Sequence, residues 1–146
     1  MSEVLDKNLD DGLLGDLLFG PARMLRGSGL EEEELIRVAL GISDQRTLFV
    51  VGTWIILDVI LPSSELKELE EEGLKSTVIY ANRVLFTTHP QAVSSYGVVS
   101  GYQADLDGCI FQSKDALYIL AGRGARKHVS LPALTALQQS MGALAQ

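Results

Sequence analysis

The spacing of apolar residues changes repeatedly along the chain, and each change marks an element. Leu13, Leu14, Leu17, Leu18 and Phe19 recur at intervals of three and four, the mark of one helical face, with Asp10 placed to cap its start. Gly12 and Gly15 weaken this helix by about 1 kcal/mol each relative to alanine, and Gly20-Pro21 ends it. Arg23, Met24, Leu25 and Arg26 read as a further helical turn. In the next helix Ser28 and Glu31 form a capping-box pattern, and Leu35, Ile36, Val38, Ala39 and Ile42 supply the apolar face. Gly41 suits its end.

Beyond residue 47 the pattern shifts to strand. Residues 48–51 and 54–61 are rich in β-branched and aromatic side chains, and the near-continuous apolar run of 54–61 predicts a central strand covered on both faces. Between them, Gly52-Thr53 is compatible with a bend, a bulge or a hairpin. Pro62 stops the run, and a short helix over 65–72 turns Leu66 and Leu69 inward before Gly73 closes it. Residues 77–88 give the longest clean strand signal, ended by His89-Pro90. Further strands are expected over 96–102, 109–112 and 116–121, the last two forming a hairpin that leaves through an exposed, glycine-flanked basic turn at 122–128. Ser130 caps a closing helix with Pro132 in its first turn.

Clustered strands with turn-length connections predict an α+β domain. Its sheet would be mainly antiparallel, with about five to six strands, accompanied by N-terminal helices, one short inserted helix and a C-terminal helix. Residues 1–27 form an N-terminal helical arm, and 28–146 a single α+β domain.

Composition narrows the class. The 146 residues are 47% hydrophobic, enough for one buried core and too apolar for a disordered chain. No apolar run reaches the length of a bilayer span, and the acidic N-terminus opposes a signal peptide. The lone Cys109 excludes an internal disulfide. A cytoplasmic protein is expected. The net charge of −7 is unevenly spread: residues 1–75 hold 16 acidic and 7 basic side chains, residues 76–146 hold 3 and 5. The first half therefore favours a basic partner, and the second offers a local anion contact at Arg123, Arg126 and Lys127.

Catalytic patterns are incomplete. Gly52, Asp58, Glu70, Glu71, Gly73 and Leu74 fall at the spacing of a Nudix box, whose carboxylates gather Mg²⁺. Leu66 and Lys67 stand where its Arg-Glu pair belongs, and Asp58 lies within a strand. Cys109 and His128 lack any local support as a nucleophile and base. Gly122-Arg123-Gly124 lacks the remaining residues of a dinucleotide or P-loop fingerprint. Tyr96 and Tyr102 are candidates for base stacking, without the aromatic-basic motif of an RNA-binding sheet.

The stretches WIILDVILP, TVIYANRVLF and CIFQSKDALYILAGRGARK resemble a family of small uncharacterised bacterial proteins of unknown function found in pseudomonads and their phages. The resemblance covers about residues 50–128 and implies no activity, cofactor or catalytic residue. The leading expectation is a non-enzymatic protein-interaction module of accessory, inhibitory or immunity type, with no cofactor and no membrane contact. Its partner-binding residues would be Leu13, Leu14, Leu17, Leu18 and Phe19 with the Glu-rich helices, and the same arm would serve a homo-oligomer. A nucleic-acid or phosphate-ligand binder using the 122–128 turn is the second expectation. A divergent Mg²⁺ hydrolase with metal at Asp58, Glu70 and Glu71 is the third.

Overall fold

The computed structural model describes residues 23–26, 29–42 and 44–145. The expected helix over Leu13–Phe19 and the Ser28 cap lie outside them. In chain order the elements are β1 (Arg23–Arg26), α1 (Glu32–Leu40), β2 (Thr47–Ile60), α2 (Ser63–Glu71), β3 (Thr77–Thr87), β4 (Val98–Val99), β5 (Asp105–Asp107), β6 (Ile110–Gln112), β7 (Ala116–Leu120), β8 (Arg123–Ser130) and α3 (Leu131–Ala145). An α+β architecture is what the apolar pattern predicts.

One strand organises the sheet. β2 runs through both expected apolar segments without a break, because Gly52-Thr53 is an irregularity inside the strand rather than a turn. Antiparallel β3 lines one of its edges. The other edge is shared end to end by β7, paired from Thr47 to Val51, and β8, paired from Trp54 to Ile60, both parallel to β2. The sheet of eight strand segments is thus mixed rather than mainly antiparallel. The basic stretch after β7, expected as an exposed turn, continues as strand because β2 still has an unpaired edge there to receive it. β1 is also strand where a helical turn was expected. Its four residues add antiparallel to β8 at 123–126, so the sheet's demand for an edge partner overrides the local helical preference.

The sheet curls until its margins meet. β6 pairs with β7 and β5 with β6, while β4 pairs with β3. The segment 98–107 links the two margins: Gln103 N–H donates to Thr77 C=O at 2.8 Å, and Ala104 N–H donates to Gln112 C=O at 2.7 Å. Lys114 Nζ reaches Glu72 Oε1 at 3.6 Å across the same seam. Only Val98–Val99 of the expected 96–102 strand forms a ladder, since the Ser100 hydroxyl takes the Ile79 N–H at 2.8 Å and Gly97 is held in a bridge with Ser94.

The concave side is packed as a barrel interior by Phe49, Val51, Trp54, Ile56, Ile79, Phe111, Tyr118 and Leu120. Phe49 and Tyr118 stack there at 4.8 Å. On the convex side α1 covers Leu48, Val50, Leu117 and Ile119 through Leu35 and Ala39, and α3 covers Leu57, Val59, Val78 and Val129 through Leu134 and Leu137. Burying each such aliphatic side chain is worth roughly 1.5–3 kcal/mol. α3 starts as predicted, with Ala133 N–H donating to the Ser130 hydroxyl at 3.2 Å. α2 fully buries none of its residues, and Leu66 and Leu69 are half-covered.

The inward set on β2 passes from Phe49 and Val51 to Trp54 and Ile56, a step of three where a regular strand steps by two. Gly52 and Thr53 are opposed by three residues of the partner edge, Ala121, Gly122 and Arg123. Thr53 at φ 47 and Gly122 at φ 66 absorb the change. Trp54 locks it: its indole N–H donates to Ala121 C=O at 3.1 Å, and its ring lies over Gly124, where an added Cβ would overlap ring carbons. Gly124→Ala should therefore lower stability by about 1–3 kcal/mol, read as a shifted urea midpoint. An unchanged midpoint would mean that the ring moves aside without cost.

Candidate functional site

The irregular region of β2 leaves part of the convex face bare between the footprints of α1 and α3. A cleft of about 630 Å³ lies there, within the size range of small-ligand sites. Its floor is mainly backbone, from Gly52 and Thr53 on β2 and Ala121 and Gly122 beyond β7. Arg83 and Leu85 of β3 stand on one side, Arg123 of β8 on the other, and the start of α1 closes one end with Leu30, Glu31, Glu32 and Glu33.

The charges divide by wall. Glu32, Glu33 and Glu34 occupy the first turn of α1, where the helix dipole favours carboxylates. Glu31 is the N-cap and makes no side-chain cap hydrogen bond. Arg83 Nη2 lies 3.2 Å from Glu32 Oε1, with both side chains more than half exposed. A pair so open to water contributes well under 1 kcal/mol, so a ligand can redirect it. Arg123 is exposed, and no ion pair or side-chain hydrogen bond engages it among the described residues.

The three basic residues singled out in the sequence do not converge. Arg123 reaches the cleft. Arg126 grips Asp58 in a two-point contact, Nε to Oδ2 at 2.8 Å and Nη2 to Oδ1 at 2.9 Å. Lys127 is buried beside Leu57, at 8% exposure. The Thr77 hydroxyl also donates to Asp58 Oδ1 at 3.1 Å. Burial of Asp58 pushes its pKa up, but the Arg126 hydrogen bonds and charge, with Thr77 and His128, outweigh it and hold the carboxyl below its ordinary value. The Arg126 guanidinium is shifted up in turn, by its hydrogen bond to Asp58 acting against burial.

Both Asp58 oxygens are therefore engaged, while Glu70 and Glu71 sit on the exposed outer helix α2. Among the described residues no group of three or more His, Cys, Asp or Glu side chains is arranged to hold a metal ion. Cys109 and His128 are not brought together either. Cys109 C=O accepts from Leu120 N–H near the end of β7, whereas His128 pairs in register with Asp58 toward the far end of β8. Leu13, Leu14, Leu17, Leu18 and Phe19 lie outside the described residues. Sequence reasoning missed the meeting of Arg83 with the acidic turn, a contact between residues far apart in the chain. Its one local signal was Gly52 interrupting an otherwise apolar strand.

A family model described as a domain of unknown function, DUF6957, matches residues 26–136. The chain belongs to this family. The match spans every element from α1 to β8 and stops within α3, so the DUF6957 domain includes the cleft. No curated protein and no solved structure matches at a significant level. Among the described residues of this DUF6957 protein, no helix is long and apolar enough to cross a membrane.

Asp58 gives the site's surroundings a defined pH response. Its folded pKa lies below the unfolded value of about 3.9, so its contribution is complete above that value and is lost as pH falls through the folded pKa. Asp58→Asn should cost about 1 kcal/mol at neutral pH, the figure for a part-exposed charged hydrogen bond. Urea titrations across pH 2–7 should show that gap closing below about pH 4. A gap independent of pH would rule out the ionised pair as its source.

Proposed function

We propose that this domain is a non-enzymatic protein-interaction module whose contact surface is the acidic first turn of α1 together with the cleft beside it. The observation that carries this reading is the row Glu31, Glu33 and Glu34. These side chains are exposed at the end of an open cleft and without ion-pair partners among the described residues. Four carboxylates, with Glu32, outnumber Arg83 and Arg123 around the opening, which suits a partner presenting lysine or arginine. An accessory, inhibitory or immunity-type role in the cytoplasm, in a bacterial or phage setting, is the finer form of this proposal. Leu13, Leu14, Leu17, Leu18 and Phe19 would add an apolar contact to the partner or to a second copy.

A second reading rests on Arg123. Exposed at the cleft and without a side-chain partner among the described residues, it suits a phosphate or nucleic-acid backbone. It is the weaker reading, because Arg126 is committed to Asp58 and four carboxylates stand nearby.

The decisive experiment compares the intact protein with the triple variant Glu31→Lys, Glu33→Lys, Glu34→Lys as baits in a bacterial extract. Recovery of the bound protein should fall by about tenfold or more, and that of the wild type should weaken with rising salt. Reversing helix-end charges costs on the order of 0.3–1 kcal/mol each, so a melting curve checks that the variant remains folded. Undiminished recovery by a folded variant would refute the acidic turn as the contact.

A further inference from the structure

Beside the cleft, β3 is a sheet edge without a neighbour. On its outer side β3 pairs with β4 at Tyr80 and Ala81, and it receives Ser100 N–H at Ile79 C=O and Gln103 N–H at Thr77 C=O, both at 2.8 Å. Over residues 82–87 no backbone hydrogen bond leaves that side among the described residues. The phase follows from the pairs. Ile79 and Ala81 turn their main-chain groups outward to β4, so Arg83 does the same one step further on. β2 takes Val84 opposite Val51 and Phe86 opposite Val50, leaving Leu85 as the extra residue of a bulge on the outward row. The return loop tucks Val93 against the barrel interior, and its backbone bonds go to itself and to β2.

This edge adjoins the acidic turn. Arg83 and Leu85 form the β3 wall of the cleft, and the Arg83 side chain touches Glu32. A strand laid along residues 82–87 would direct alternate side chains over the convex face, toward Glu31 and Glu33. A second copy of the same edge is a poor occupant. It would set two bulged strands against each other and bring no cation other than Arg83, which already has Glu32. A basic extended segment satisfies both the unpaired main chain and the carboxylates.

Resting on the protein-binding reading above, we infer that residues 82–87 take an extended, lysine- or arginine-bearing segment of the partner as an added β-strand. The main chain of that segment bonds Arg83 and Leu85, and its basic side chains meet Glu31 and Glu33.

The probe is a short acetylated and amidated peptide of alternating lysine and valine, titrated by calorimetry into the intact protein. Two further peptides carry N-methyl groups on every second amide, one in each phase, which removes ladder donors and leaves charge unchanged. One phase should bind about tenfold more weakly than the parent, and the other should keep most of its affinity. Arg83→Pro, which removes an outward N–H, should weaken the parent peptide about tenfold beyond the effect of Arg83→Ala. Should Arg83→Pro fail to fold, the N-methyl pair decides alone. Equal binding by all three peptides would reduce the contact to charge and overturn the added strand. Sedimentation showing a dimer that Arg83→Pro dissolves would give the edge to a second copy and overturn it too. Absence of peptide binding, with capture still abolished by the triple lysine variant, would sink this inference while leaving the interaction module standing.

Discussion

An indole ring with no room for a side chain beneath it fixes the joint on which this fold turns. β2 is a single strand of fourteen residues, but the edge it presents to β7 and β8 is filled by two segments whose registers differ by one. Such a slip would put the following residues of one strand on the wrong face. Here the phase change is taken up by Thr53 and Gly122, both at positive φ, and Trp54 closes over it. Gly124 is required because the ring occupies the space a Cβ would need. The Ala121 carbonyl, which would otherwise lose its ladder partner at the bulge, is taken by the indole N–H. One side chain thus fills the barrel interior, restores a hydrogen bond and sets the register.

The joint also creates the surface. Where β2 and its neighbours are regular, apolar side chains stand out from the convex face and helices cover them, α1 at one end and α3 at the other. Where the strands are irregular, Gly52 and Gly122 offer no side chain for a helix to pack on, and the face stays open. The cleft is the gap between two helix footprints. Its charged rim follows from α1 starting there, since the first turn of a helix is where carboxylates are most easily held.

Much of the fold was legible in the sequence. The apolar period located α1, the inserted α2, both halves of β2, β3, the β6–β7 hairpin and the Ser130-capped α3. Three features were not legible, for one physical reason. β1, the parallel placement of β7 and β8, and the truncation of the 96–102 strand to Val98–Val99 all depend on which edge is vacant when another segment arrives. That is a property of the assembled sheet and leaves no local periodicity. Gly52-Thr53 shows the limit well: a glycine inside an apolar run signals an irregularity, yet nothing in the run itself says that the opposing edge slips by one.

The fate of the basic cluster illustrates the same point for the site. In sequence, Arg123, Arg126 and Lys127 form one patch. On a strand, successive side chains point to opposite faces, so a basic run is divided as soon as it joins a sheet. Arg126 falls on the face of Asp58 and is held there in two-point contact, and Lys127 is buried on the other face beside Leu57. Arg123 lies next to the bulge, where no helix covers the sheet, and it keeps its charge at the surface. Charge density along the chain therefore overstated the patch, while Arg83, isolated in sequence, joins the cleft because Gly52 opposite it leaves the space. What selects a surface charge for binding here is its distance from the strand irregularity. The joint under Trp54 shapes the contact surface as much as it holds the fold.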